Sequence, residues 1–337
     1  MAEVVRYVDP DATGVGNGTS WTDAYTSLNA WEAAEQTDLV SDGDWHHVYV
    51  RASSNSPDTT ETDINGWTTG SSNYILIEAA SGDEALKSGW SSTRYRLIVT
   101  DPGDFSLSIK EEYFRIKGIQ LGAVYSSANY KAVLGTFYLP SSSDIRIYDC
   151  RIQTSGGAYK GVNSTDADFN IKVWNTVFHG ITDDGVTGTF GTVEIFNCII
   201  ANCSDHGIYA SAGTWTIKNT AVFNTADDID MAGAGSSTVD YCASDDGDGT
   251  NAVAPSGSDW DNEFTDSASG DFTLEAGGNC ENGGTTDPGS GLYDTDMEGD
   301  DYDDAGGWSI GVDEISGGAP SVSIPVILHH LRQQGVA

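Results

Sequence analysis

The sequence predicts an all-β protein, a right-handed parallel β-helix in which short strands stack in successive coils. Three observations predict it. A strand-like segment recurs at a nearly fixed spacing, the segments between its copies are rich in turn-forming residues, and the 337 residues include 40 glycines against 8 prolines. Because 38% of the residues are apolar, the chain can bury a substantial core. We therefore expect one elongated domain.

The recurring segment has eight residues, with apolar side chains at alternating positions. Its four clear copies begin at Ile145, Ile171, Val193 and Trp215, at separations of 26, 22 and 22 residues. A weaker copy begins at Phe114, and further strands are expected at residues 47–51, 74–78 and 95–100. Alternation with a period of two indicates strands. The intervening Gly, Ser, Asn and Asp residues lack helical periodicity, which excludes βαβ units and favours stacked coils.

Stacking the copies predicts columns of side chains that run along the molecule. Two apolar columns should face inward, Ile147/Val173/Ile195/Ile217 and Ile152/Phe178/Ile200/Val222. The fifth position of each copy holds Asp149, Asn175, Asn197 and Asn219, with Gly118 in the weak copy. These residue types accept left-handed backbone and satisfy turn amides. We therefore interpret this column as a turn ladder, with a ligand-binding amide row as the alternative.

The charge balance excludes some partners. Lys and Arg total 15 against 51 Asp and Glu, a formal net charge of −36, which repels nucleic-acid phosphates and anionic membranes. No stretch has the roughly 20 apolar residues of a membrane span. The five cysteines form no CxxC pair, so we interpret most of them as small buried side chains. Residues 1–6 include Glu3 and lack an apolar run, so we expect no secretory signal in this stretch.

We divide the chain into three parts. Residues 1–45 are an N-terminal cap with a short helix started by Ser or Thr, which should close the end of the coil stack. Residues 46–316 are the β-helix body, with acidic coils and loops towards the C-terminus. Residues 317–337 are a glycine hinge followed by a docking tail.

Three stretches carry a resemblance to a known family. They are Tyr7-Val-Asp-Pro with Gly16-Asn-Gly-Thr-Ser-Trp21, the central copies, and Asp271-Phe-Thr-Leu-Glu-Ala with Trp308-Ser-Ile-Gly-Val-Asp-Glu314. The chain thereby resembles parallel β-helix proteins of the pectate-lyase-like superfamily, of the bacterial-surface or phage-virion type. The resemblance implies the fold. It leaves activity open, because the superfamily includes lyases, hydrolases, adhesins and phage tail spikes.

Acidic residues and one histidine recur at the coil spacing. Asp183, Asp205 and Asp227 should form one column, and Asp184, His206 and Asp228 the next. Carboxylates one coil apart perturb each other's pKa values, and glycosidic cleavage needs such a pair. Asp183-Asp184 and Asp205-His206-Gly207 are similar to the Asp-Asp and Gly-His-Gly elements of polygalacturonase-type hydrolases. The Asn-Thr-Asp and Arg-Ile-Lys elements are missing, and ordinary turn residues are the alternative interpretation.

An aromatic column is expected on an outer face. Tyr148, Trp174 and Phe196 occupy the outward fourth position of three successive copies. Exposed aromatic patches of this kind are usually occupied. The sequence leaves three alternatives open: cover by a loop or terminal segment of the same chain, contact in a homo-oligomer, or stacking of a glycan.

Two further segments offer binding residues. Asp245, Asp246 and Asp248 are candidate metal ligands, with Ca²⁺ as the cation, although the loop lacks a complete EF-hand pattern and solvated acidic residues are the alternative. After Gly317-Gly318, the apolar residues Ile324, Val326, Ile327 and Leu328 favour docking of the tail onto another chain.

The sequence favours a non-enzymatic structural or surface protein. The specific hypothesis is a phage virion component at the particle surface, a decoration or tail-spike-like protein that contacts other subunits through its tail and contacts glycans. No cofactor is required. The alternative is a secreted or cell-surface β-helix that acts as an adhesin or as a polysaccharide lyase or hydrolase.

Overall fold

The computed structural model of the protein describes residues 1–126, 131–137, 143–157, 159–164, 170–289, 294–302 and 307–315. In these residues the chain forms a right-handed parallel β-helix with three strand-bearing faces, called sheets 1, 2 and 3 here. Every strand pair of the coils is parallel. The predicted fold class is confirmed. No helix among the described residues is long and apolar enough to cross a membrane.

The strands fall into three stacks, numbered in chain order. Sheet 1 contains β1 Ala2–Val8, β2 Asp44–Val50, β4 Ile75–Ala79, β7 Tyr113–Lys117, β10 Asp144–Tyr148, β13 Asn170–Trp174 and β20 Ser236–Asp240. Sheet 2 contains β3 Thr62–Ile64, β6 Phe105–Ile109, β9 Lys131–Thr136, β12 Tyr159–Ser164 and β19 Asp227–Asp230. Sheet 3 contains β5 Arg96–Thr100, β8 Gln120–Tyr125, β11 Arg151–Gly156, β14 Val177–His179, β16 Ile199–Ala201, β18 Ala221–Phe223 and β21 Ala243–Ser244. Two long strands, β15 Val186–Phe196 and β17 His206–Lys218, bend from sheet 2 into sheet 1.

The main core lies inside the coils. Both predicted columns face inward, and all eight of their residues are fully buried. The register matches the prediction, since Ile147 pairs with Val173, Val173 with Ile195 and Ile195 with Ile217. The two columns belong to sheets 1 and 3, so each coil closes its apolar interior with side chains from different faces.

The turn from sheet 1 to sheet 3 is the predicted ladder. Asp149, Asn175, Asn197 and Asn219 have φ values of 54°, 47°, 50° and 50°, and Gly118 has 70°. This left-handed backbone is the conformation that Asn, Asp and Gly tolerate best. The ladder therefore turns the chain sharply at the same point of every coil.

The N-terminal region differs in part from the predicted cap. Residues Ala2–Val8 are not outside the coils but form the first strand of sheet 1, in parallel register with β2. The short helix α1, Leu28–Glu35, begins after Ser27, whose side chain accepts a hydrogen bond from the amide of Ala30. Helix α2, Leu39–Asp42, follows. Leu28 and Trp31 are fully buried in the main core, so the helix packs against the apolar interior of the coils.

The C-terminal region, expected to contain acidic coils and loops, leaves the regular coil stack after about Val253. The last bridge in parallel register joins Ala243 to Val253. Two 3-10 turns, Ser256–Ser258 and Trp260–Asn262, and an antiparallel hairpin of β22 Phe264–Asp266 and β23 Asp271–Leu274 then follow. This segment, residues 256–315, folds back over the outside of the coils and is called the C-terminal cover here.

The C-terminal cover is held by a second apolar core. Sheet 3 presents outward the side chains of Val177, Ile199 and Phe223, and the cover packs Trp260, Phe264, Phe272, Leu274, Ile310 and Val312 against that face. The ring centroids of Phe223 and Trp260 are 3.9 Å apart and nearly parallel. Where the cover packs on Val177, Ile199 and Phe223, sheet 3 is therefore buried on both faces.

Candidate functional site

The predicted acidic and histidine residues meet where the turn after sheet 3 enters sheet 2. Asp184 lies just before β15, and His206 is the first residue of β17 in the next coil. The side chain of Asp184 is almost fully buried, whereas that of His206 is 23% exposed. Coil stacking brings the two side chains together because β15 and β17 run in parallel register from Val186 and Ile208 onwards.

Asp184 holds the imidazole of His206 in one orientation. The Nδ1 of His206 lies 2.9 Å from Oδ1 of Asp184, and the backbone amide of His206 donates to the same oxygen at 3.3 Å. The other carboxylate oxygen accepts a hydrogen bond from the Nζ of Lys160, one coil earlier in β12. A buried carboxylate that orients an imidazole through Nδ1 leaves Nε2 as the nitrogen that can exchange a proton.

Asp183 and Asp205 lie beside this Lys160–Asp184–His206 chain. Oδ2 of Asp183 is 3.8 Å from Nζ of Lys160 and accepts no hydrogen bond from any described residue. Oδ1 of Asp205 is 3.5 Å from Nδ1 of His206, and the Asp205 side chain is 56% exposed. All four predicted candidates, Asp183, Asp184, Asp205 and His206, are therefore in one cluster, called the His206 cluster here.

The environments of the cluster shift its pKa values in opposite directions. Burial alone would raise the pKa of Asp184, but hydrogen bonds from Lys160 and His206 outweigh it and place the pKa below its usual value. Burial raises the pKa of Asp183. Burial would lower the pKa of His206, yet its hydrogen bond to Asp184 and the charge of Asp205 raise it above its usual value. Opposite shifts in neighbouring groups are typical of acid–base centres.

The predicted columns are wrong by one position at their third member. His206 pairs with Asp227, not with Asp228, because the next coil is one residue shorter than the repeat. Asp228 instead aligns with Gly207 and is 1% exposed. One ligand atom each of His206, Asp227 and Asp230 lie within 4.8 Å of one another, as do atoms of Asp184, Asp205 and His206. Four carboxylates thus surround the imidazole.

Lys160 is the residue of the cluster that the sequence pattern did not reveal. It occupies the second position of β12 and is the only lysine paired with the cluster among the described residues. A usable signal existed, since Lys160 lies 24 residues before Asp184, close to one coil length. The first two copies are 26 residues apart and the later ones 22, so the repeat alone does not align Lys160 with Asp184.

The predicted metal ligands are rearranged in the structure. Asp246 and Asp248 each place an oxygen within 4.8 Å of Asp228, which replaces Asp245 in the group. Asp245 instead accepts hydrogen bonds from the indole of Trp260, at 2.8 Å, and from the amide of Asn224. Burial raises the pKa of Asp228 to about 6. Three carboxylates fall short of the six to eight oxygens that Ca²⁺ takes, and calcium binding stays a prediction.

The predicted aromatic column is covered by the same chain. Tyr148 and Trp174 stack with ring centroids 4.3 Å apart. Trp174 and Phe196 are only 6% and 3% exposed because Tyr302 and Trp308 of the C-terminal cover pack against them. Of the three alternatives, the structure places a terminal segment on this column, so Trp174 and Phe196 are not an open glycan platform. The predicted docking residues Ile324, Val326, Ile327 and Leu328 lie outside the described residues.

The class that the coils define is the right-handed parallel β-helix. No protein-family model matches the chain, and no curated protein matches it. Among solved structures the chain is similar to the crystal structure of pectate lyase Pel9A, with a TM-score of 0.39 and 13% sequence identity, over 92% of this chain and 96% of that chain. At this distance the function has to be argued from the residues of this chain.

Proposed function

We propose that the protein acts on polysaccharide chains at its lateral surface and cleaves them by acid–base catalysis at His206. The observation that carries this proposal is the orientation of a partly exposed imidazole by a buried carboxylate, itself neutralised by Lys160. A side chain held in this way has one nitrogen available for proton transfer. The function favoured from the sequence, a non-enzymatic surface protein, becomes the second candidate.

The residues of the cluster divide the reaction among them. His206, whose hydrogen bond to Asp184 favours the imidazolium, donates a proton to the glycosidic oxygen as the bond to the anomeric carbon breaks. Asp205 accepts a proton from a water molecule whose oxygen bonds to that carbon. Asp184 and Lys160 are positioning residues that hold the imidazole. The sum is the addition of one water across the bond.

The second candidate is a non-enzymatic surface component, such as a phage decoration or tail-spike-like protein. In it, the Lys160–Asp184–His206 chain serves only to tie three successive coils together. The missing Asn-Thr-Asp and Arg-Ile-Lys elements favour this candidate, as does the apolar tail after Gly318. Loss of co-assembly with a native particle after truncation at Gly318, at an unchanged melting temperature, would support it.

Polysaccharide cleavage by the wild type and two variants tests the first candidate. The substrates are polygalacturonate, alginate and neutral glucans, and reducing ends together with the ultraviolet absorbance of unsaturated products distinguish hydrolysis from elimination. We expect His206→Gln and Asp205→Asn to lose at least about 100-fold in rate, the usual contribution of general acid–base catalysis. Asp104→Asn, which removes an 84% exposed carboxylate elsewhere, is the matched control.

The pH profile separates a catalytic from a structural role. A catalytic His206 gives an activity that falls as pH rises through the raised pKa of the imidazole, whereas a purely structural network gives no activity to lose. Equal rates in His206→Gln and wild type would refute catalysis at this residue. If the folded wild type cleaves none of these substrates, the enzymatic proposal is rejected and the non-enzymatic surface component is retained.

A further inference from the structure

A second surface, on a different face of the coils from the His206 cluster, combines aromatic and cationic side chains on the outer face of sheet 1. Trp45 of β2, Tyr74 just before β4 and Tyr113 of β7 occupy neighbouring outward positions in successive coils. The ring centroids of Trp45 and Tyr74 are 5.0 Å apart. All three rings are half-buried, so each has part of its surface open to a ligand.

A column of cations runs beside these rings. Arg115 pairs in register with Arg146, and Arg146 with Lys172. Three successive coils therefore each present a cation, in a column two residues along the strands from the column of Tyr113. The chain has only 15 Lys and Arg in all. Three of them stand in one outward column of a protein whose net charge is −36. We call the two columns together the cation–aromatic track.

Arg115 is the member of the track that lacks an acidic partner. Arg146 pairs with Asp144 at 2.6 Å and Lys172 with Glu194 at 3.2 Å, but no described carboxylate forms an ion pair with Arg115. Its guanidinium lies 3.6 Å from the centre of the Tyr74 ring, and burial lowers its pKa. A half-buried guanidinium without a carboxylate gains from an anionic ligand, because charge-assisted hydrogen bonds would replace lost hydration.

The shape of the track fits a linear polymer. From β2 to β13 it crosses five strands, which at about 4.8 Å a step spans about 19 Å along the molecule. A groove of about 340 Å³ continues the line beside β10, β13 and β15, and Ser143, Asn170 and Thr192 supply its hydrogen-bonding groups. Pyranose rings stack on aromatic faces, and hydroxyl groups bind to short polar side chains.

We propose that the cation–aromatic track binds an anionic polysaccharide, with a sugar carboxylate paired to Arg115 and sugar rings stacked on Trp45 and Tyr113. The surface lies on sheet 1, whereas the His206 cluster lies at the entrance to sheet 2. Binding at the track therefore does not depend on cleavage at His206.

Affinity electrophoresis of the full chain, in native gels that contain alginate, polygalacturonate, neutral dextran or single-stranded DNA, tests the proposal. We expect the uronate polymers to retard the wild type and His206→Gln equally. Arg115→Gln and Trp45→Ala should each weaken binding about tenfold or more, the effect of losing one charge-assisted hydrogen bond or one stacked ring. Arg94→Gln removes an arginine that pairs with Glu84 elsewhere and should bind as wild type does.

Thermal melting verifies that each variant is folded, and Arg115→Lys provides a milder variant that keeps the charge. The proposal is overturned if neither uronate polymer retards the folded wild type, or if Arg115→Gln and Trp45→Ala bind as tightly as Arg94→Gln. Equal retardation by dextran would refute the role of the sugar carboxylate. Retardation by DNA alone would assign the track to a nucleic acid instead.

Discussion

At the turn ladder, one residue in each coil takes a backbone conformation that most residues avoid. Asn197 has a φ of 50° and is fully buried. Asn197→Leu should destabilise the protein by about 1–3 kcal/mol because a branched side chain strains this conformation and cannot replace the amide. Asn197→Gly tolerates the backbone and should lose less. Urea unfolding measures both, and an equally stable Leu variant would show that the ladder position is not strained.

A charge placed inside the coil should be far more damaging than a change in the ladder. Ile195 is fully buried between Val173 and Ile217. Ile195→Asp puts an unpaired carboxylate into that column, which costs more than the protein's marginal stability, so we expect no soluble folded protein. Thr216→Asp places the same group at a half-buried outward position of the next coil and should fold. A normal melt of Ile195→Asp would refute the inward register.

The raised pKa of His206 has a direct test that does not depend on activity. Its hydrogen bond to Asp184 favours the imidazolium, so Asp184→Asn should lower the pKa of His206. Asp266→Asn, in the β22 strand of the remote hairpin, should leave it unchanged. The imidazole proton shifts followed by NMR across a pH titration provide the measurement. An unchanged titration in Asp184→Asn would show that Asp184 does not hold the imidazole in solution.

At the scale of the elements, the repeat was sufficient to predict the coils but not what covers them. Alternation within each copy and the recurring Asn positions predict the inward columns and the ladder, because coils stacked in register place equivalent residues together. The spacing cannot reveal a coil that is one residue shorter, and Asp227 is therefore misplaced by one position. Lys160 was not predicted for a similar reason: it lies 24 residues before Asp184, whereas the later copies repeat every 22 residues.

Cover of the aromatic column by a segment of the same chain was one of three alternatives, but the contacts that the C-terminal cover makes could not be predicted because they have no period. Tyr302 donates a hydrogen bond to the carbonyl of Gly311 at 3.0 Å and packs beside Trp174, although more than 120 residues separate it from that strand. The buried guanidinium of Arg151 donates to the carbonyls of Leu86 and Gly270, which join a loop, a coil and the hairpin. Such contacts depend on shape and on burial, which a single sequence does not encode as a pattern.

Lys87 fastens the cover to the coils through two ion pairs. Nζ of Lys87 lies 2.5 Å from Oδ1 of Asp313 and 2.9 Å from Oε2 of Glu298. Lys87→Met should cost about 3 kcal/mol because it leaves the buried Asp313 carboxylate without its cation. The double variant Lys87→Met/Asp313→Asn removes that charge and should recover part of the loss. Denaturant unfolding gives the values, and strictly additive losses would show that the two groups are not coupled.

At the scale of the whole molecule, buried carboxylates determine how stability depends on pH. Burial raises the pKa of Glu111, Asp149 and Asp296 to about 7. Asp149 and Asp296 line the two sides of a cavity of about 210 Å³ between the ladder and the C-terminal cover, together with Glu78, Glu84 and Glu298. When Asp149 and Asp296 ionise, they repel each other and the neighbouring glutamates. This repulsion adds to that among the other charges of a chain with a net charge of −36.

We therefore predict that the protein is more stable at pH 5 than at pH 8. Between about pH 4, where these carboxyls titrate in the unfolded chain, and about pH 7, the folded state holds protons that the unfolded state has released, so stability falls as pH rises. The opposite holds for Asp184, whose pKa is lowered and whose contribution is lost only as the pH falls below about 4. Urea unfolding at constant ionic strength measures the unfolding free energy at each pH. We expect it to fall by roughly 2–4 kcal/mol from pH 5 to pH 8. Asp149→Asn should flatten that slope, whereas Asp104→Asn, an exposed carboxylate, should keep it. Stability that stays level or rises across this range would show that these carboxyls are not held protonated by the fold.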